Sequence, residues 1–138
     1  MKSEIFQFIV GTYGIPRKYD PYDAYEYYNQ HFSQKQNMHI IASSAGALPA
    51  IEIARKRPQS GGKLILLNPA ITLNSLRGLS LSIIVVCGTK DGGERAFTSN
   101  GYDIGKNVQF IELYGDHSFK GQEKPLNELI GSLLNDNN

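Results

Sequence analysis

The chain has 138 residues, a length that suits one domain with a buried core and not two. Apolar residues make up 41% and charged residues 20%, as in ordinary globular proteins, which argues against a disordered chain. The 14 basic and 13 acidic side chains nearly cancel to a net charge of +1, so there is no strong field to hold a nucleic acid or an anionic membrane.

Five short apolar runs recur between turn residues: 5–10 (IFQFIV), 39–42 with Met38 before it (MHIIA), 64–67 (LILL), 81–87 (LSIIVVC) and 108–113 (VQFIEL). Their length and their β-branched and aromatic content predict strands. Several are nearly continuous in apolarity, as in strands buried on both faces. Between the first two runs, Asp20-Pro21 reads as an N-cap with proline at the first helical position, and Tyr25, Tyr28 and Phe32 form a stripe. The other tyrosines there, Tyr19, Tyr22 and Tyr27, are too many for that stripe and point to an exposed aromatic face. After the second run, Ala47, Leu48, Ile51 and Ala54 form another helical stripe, followed by Arg55, Lys56, Arg57 and then Gly61-Gly62. The connection 68–80 reads as a loop or a short helix, and 91–107 has room for a helix around 94–99. A last helix is expected over about 124–134, with Leu126, Leu129, Ile130, Leu133 and Leu134 inward and a frayed tail at 135–138. The alternation predicts one α/β domain over 1–138, with a mostly parallel five-stranded sheet flanked by helices.

No apolar run nears the roughly 20 residues of a membrane span, and the N-terminal run is too short and too early for a signal peptide. A cytoplasmic address is the expectation. Cys87 has no internal disulfide partner and sits in an apolar strand, where it is expected to be buried and inert. The three histidines are too scattered for a metal site, and neither a dinucleotide fingerprint nor a phosphate loop occurs, so no metal or cofactor is implied.

In a parallel α/β sheet, chemistry belongs at the carboxyl ends of the strands. Ser43-Ser44-Ala45-Gly46 follows the second run, Asp91 the fourth and His117 the fifth. Ala42-x-Ser44-x-Gly46 between strand and helix is a nucleophile-elbow pattern with alanine for the first glycine. It would aim the Ser44 hydroxyl into a site and leave the Ala45 N–H for a developing oxyanion. A serine capping a helix has the same sequence appearance. His117 is the candidate base and Asp91 the acid that orients it, although Asp91 before Gly92-Gly93 also fits a plain turn. Asp116, Asp103 and Glu94 are rivals for the acid. Asp116 ranks lower because adjacent residues rarely face each other well.

These residues resemble the α/β-hydrolase superfamily, and are most similar to small bacterial esterases of the YqiA type in a shortened form. Three stretches carry the likeness: SSAGA (43–47), NPA (68–70) and GDHSFKGQE (115–123), with GTKD (88–91) at the superfamily's acid position. The likeness covers most of 38–134. It implies Ser44 as nucleophile, Asp91 as acid and His117 as base, with a second oxyanion donor from the backbone of Tyr13 or Thr12. The chain departs from the pattern in three ways. The family's His-Gly after the first strand is Gly11-Thr12, only one helix fits between the first two strands, and Pro49 removes an early hydrogen bond if the helix begins at Ala45. The connection 68–80 is too short for a lid, so the site should be open.

The expected function is a serine hydrolase cleaving a small carboxylic ester or thioester. The alternatives are a catalytically inactive hydrolase-fold binding module and an acyltransferase or cyclase using the same serine. If the strands lie in sequence order, right-handed crossovers put the connecting helices on one face and leave the C-terminal helix to cover the other. An under-covered face would favour a homodimer.

Overall fold

The computed structural model describes residues 6–10, 30, 38–56, 62–90 and 105–135. Strands β1 (Phe6–Val10), β2 (Met38–Ser43), β3 (Lys63–Leu67), β4 (Ser82–Gly88) and β5 (Val108–Leu113) form one sheet in the order β1-β2-β3-β4-β5, with every neighbouring pair parallel. The side-chain packing is described for four of them, β2 to β5. Helix α1 (Ala47–Lys56) follows β2 and helix α2 (Glu123–Leu134) follows β5. The expected helix near 20–32 and that around 94–99 lie outside the described residues, Gln30 apart.

The near-continuous apolar runs behave as strands covered on both faces. Leu64, Ile65 and Leu66 are all fully buried, and they alternate between two cores. Leu64 and Leu66 meet Ile83, Val85 and the small residues of α1 on one side. Ile65 meets Ile41, Ile84 and Val86 beneath Leu133 and Leu134 of α2 on the other. The face left to the C-terminal helix is thus buried across β2, β3 and β4. Cys87 is buried on the α1 side.

The connection left open between loop and helix contains one 3₁₀ turn, Leu73–Leu76. Leu76 and Leu79 pack it against the α1 core, and the Arg55 guanidinium donates to the Ser75 carbonyl at 2.9 Å. The Asn107 amide nitrogen donates to the carbonyls of Leu79 and Leu81 at 2.8 and 2.7 Å, fixing the entry to β4. Both helices take a proline in the first turn, Pro49 in α1 and Pro125 in α2, where an N–H has no intrahelical acceptor. Asn135, expected to fray, is ordered as the cap of α2 and donates its N–H to the Gly131 carbonyl. Among the described residues no helix is long and apolar enough to cross a membrane.

Among the described residues two polar side chains are buried, His39 and Asn68, at opposite ends of the strands. His39 Nδ1 accepts the Lys63 N–H at 3.0 Å, and the Lys63 ammonium donates to the Leu133 carbonyl near the C-terminus of α2, where a cation is favoured. Burial first, and then the Lys63 charge, hold the His39 imidazole below its ordinary value of 6.5. The unfolded chain therefore binds a proton before the folded one does, and stability is lost as pH falls below 6.5. The expected outcome is a urea midpoint that falls between pH 7 and pH 5.5 in the wild type. His39→Asn, which keeps an acceptor and cannot titrate, should fall less over the same range, by at most about 1.4 kcal/mol per pH unit.

Candidate active site

The register of the sheet sets three chain reversals side by side. Ser43 pairs with Leu67, Leu67 with Val86, and Gly88 with Leu113. The residues that follow, Ser44, Asn68 and the 114–118 loop, therefore emerge together at the carboxyl ends.

Ser44 breaks the strand in a single residue. Ser43 is extended (φ −123°, ψ 143°), Ser44 turns to φ +51°, and a 3₁₀ turn over Ser44–Gly46 leads into α1. A side chain in the left-handed region costs about 1–3 kcal/mol and persists only where its surroundings hold it. The Ser44 carbonyl accepts the N–H of Ala47 and, at 3.0 Å, that of Ala70 from the chain after β3. Ala42 and Ala47 are fully buried and Gly46 is buried, so the bend is wrapped in residues too small to obstruct it. The awkward Pro49 is resolved by the 3₁₀ turn: α1 starts at Ala47 and not at Ala45, so the proline needs no intrahelical acceptor.

His117 is carried by the loop between β5 and α2. Its Nε2 lies 2.8 Å from Ser44 Oγ across 73 residues of sequence. With the ring protonated at Nδ1, the hydroxyl donates to Nε2. The loop is anchored at several points. Phe119, at φ +55°, is buried in the α2 core. The Thr89 N–H donates to the Leu113 carbonyl and the Lys90 N–H to the Gly115 carbonyl, so the chain up to Lys90 runs alongside the chain leading to His117. The Lys90 ammonium sits 4.8 Å from the Tyr114 ring centre.

Asp116 is occupied elsewhere. Its Oδ1 accepts the N–H groups of Ser118 and Lys120 at 3.1 and 3.0 Å and the Ser118 hydroxyl at 3.4 Å. These bonds, that from Lys120 foremost, hold its carboxyl below the usual carboxylate value. Its work is to shape the loop that presents His117.

Of the sequence-predicted residues, Ser44, Ala45 and His117 come together, with Ala45 and His117 exposed and Ser44 half-buried. Asp91, Thr12 and Tyr13 lie outside the described residues, as do the rival acids Asp103 and Glu94. Sequence reasoning missed Asn68. It is buried at φ +44°, its Oδ1 accepts the Gly88 N–H at 2.6 Å, and its amide nitrogen donates to the carbonyls of Asp116 and His117 at 3.2 and 2.8 Å. The available signal was an asparagine at the end of a buried strand, a residue type that tolerates positive φ.

No family model matches the chain, and no curated protein does. Among solved structures it is similar to a predicted CIB-like hydrolase from Thermoplasma acidophilum, at 19% identity and a TM-score of 0.61. The alignment covers 89% of this chain and 63% of that one. The chain has an α/β-hydrolase-like fold. It spans 63% of the length of that hydrolase.

The α/β-hydrolase-like fold brings its strand ends together tightly at Gly88. A methyl group there would meet the carbonyl oxygens of Gly115 and Asp116 at 2.8 Å each and the Asn68 amide nitrogen at 3.2 Å. Gly88→Ala should therefore force the His117 loop off β4. The expected cost is about 1–3 kcal/mol in the unfolding free energy with an unchanged denaturant slope. Unaltered stability would show that the loop gives way freely.

Proposed function

We propose that the chain is a serine hydrolase that cleaves a small carboxylic ester or thioester through an acyl-enzyme on Ser44. The observation that carries this reading is the 2.8 Å approach of His117 Nε2 to Ser44 Oγ on a left-handed turn open to solvent. A helix cap has no need of an imidazole on its hydroxyl.

His117 takes the hydroxyl proton as Ser44 Oγ attacks the carbonyl carbon. The carbonyl oxygen becomes an oxyanion beside the Ala45 N–H at the start of the turn, where N–H groups have no intrahelical acceptor. The C–O or C–S bond then breaks, and the leaving alcohol or thiol departs with the proton from His117. Water repeats the sequence on the acyl-enzyme: His117 takes a water proton, the hydroxide adds, and the carboxylic acid leaves as Ser44 regains its proton. In this proposal Asp91 is the acid that orients the imidazole, and the backbone of Tyr13 or Thr12 is the second oxyanion donor. Asp91 is preferred to Asp116 because the Asp116 carboxylate is committed to Ser118 and Lys120.

The exposure of Ala45 and His117 favours short or protruding acyl groups over long lipid chains. The expected result is turnover of p-nitrophenyl acetate well above that of the palmitate ester. Ser44→Ala and His117→Ala should each lower kcat by about a thousandfold or more, and the double variant should be hardly worse than either. A wild type no faster than Ser44→Ala would favour a hydrolase-like scaffold used for binding.

A further inference from the structure

We propose that Asn68 is a positioning residue whose carboxamide sets the contact between Ser44 and His117. The proposal rests on the roles of those two residues given above.

The side chain of Asn68 is 2% exposed, and its polar atoms are all engaged by backbone. Oδ1 receives the Gly88 N–H from the end of β4, while Nδ2 donates to the carbonyls of Asp116 and His117. The Asn68 N–H donates to the Val86 carbonyl at 2.8 Å, which fixes the base of the side chain against β4. Two residues on, the Ala70 N–H holds the Ser44 carbonyl at 3.0 Å. The segment 68–70 thus has the nucleophile's carbonyl at one end and the base's carbonyl at the other.

The chemistry requires a carboxamide of this length. Aspartate would set an oxygen against two carbonyl oxygens, and leucine would leave a buried N–H without an acceptor at that position. Glutamine adds a methylene between fixed groups. The position at φ +44° suits asparagine or glycine, and glycine would meet the backbone need alone. A buried amide costs free energy unless every bond is made. Its presence here is explained by what the amide grips: the backbone of the residue that carries the base. A misplacement of about 1 Å between reacting groups costs on the order of a hundredfold in rate.

The test compares wild type with Asn68→Gly, which keeps the backbone conformation and removes the grip, and with Asn68→Asp, which keeps the shape and reverses the donor. For p-nitrophenyl acetate, each variant should lower kcat by about tenfold or more with KM changed by less than about threefold. In a His117→Ala background the same substitutions should change the residual rate by less than about twofold, because the group they position is gone. Equal losses in both backgrounds, or no loss in the wild-type background, overturn the proposal.

The ring-nitrogen chemical shifts of His117 give a reading that needs no turnover. Asn68→Gly should reproduce the change that Ser44→Ala causes, since both remove the hydrogen bond; shifts that stay at the wild-type values overturn the proposal. A protein that hydrolyses nothing while its His117 signals follow Asn68 keeps this inference and loses the hydrolase reading. If neither variant folds, Asn68 belongs to the fold and the positioning role falls.

Discussion

A single strained residue governs the carboxyl end of this sheet. Ser44 must leave an extended strand, adopt a left-handed backbone and enter a helix within three residues. That geometry is unfavourable by about 1–3 kcal/mol taken alone. It is held because the Ser44 carbonyl is gripped from two directions and because Ala42, Gly46 and Ala47 leave the space that a bend needs. The consequence is a hydroxyl presented at the carboxyl end of β2, where the His117 imidazole on the β5–α2 loop reaches it.

The rest of the architecture supplies that imidazole. A parallel sheet in sequence order places the ends of β2, β3, β4 and β5 in a row, so residues far apart in the chain meet at one end of the sheet. Contact is then decided at the scale of tenths of an ångström. Gly88 lets the 115–116 backbone lie directly on β4, Phe119 pins the loop into the α2 core, and the Asp116 carboxylate tightens it from within. The outcome is one 2.8 Å hydrogen bond, and each of these features acts through it.

Much of this was legible in the sequence. The apolar runs gave the strands because continuous apolarity has few other physical uses, and 108–113 was read with the bounds that β5 has. The run at 81–87 begins one residue early because Leu81 packs as part of the loop before β4 opens at Ser82. The Ser44 turn was readable from its small neighbours. The start of α1 was not, since the 3₁₀ turn that accommodates Pro49 depends on the bonds of Ser44. The residue Asn68 stood in the NPA stretch, but its role was not legible: its three side-chain bonds go to backbone on β4 and the His117 loop, and no local pattern encodes a tertiary grip. Asp116 was ranked below Asp91 as the acid on adjacency; its bonds to Ser118 and Lys120, which shape the His117 loop, could not be read from the sequence.

The central claim, that Ser44 is an activated nucleophile, is tested most directly by intact-mass spectrometry after treatment with a fluorophosphonate. The account predicts one covalent adduct on the folded wild type and none on Ser44→Ala under the same conditions. A folded wild-type protein that gains no mass, or a Ser44→Ala variant that gains the same adduct, would contradict it.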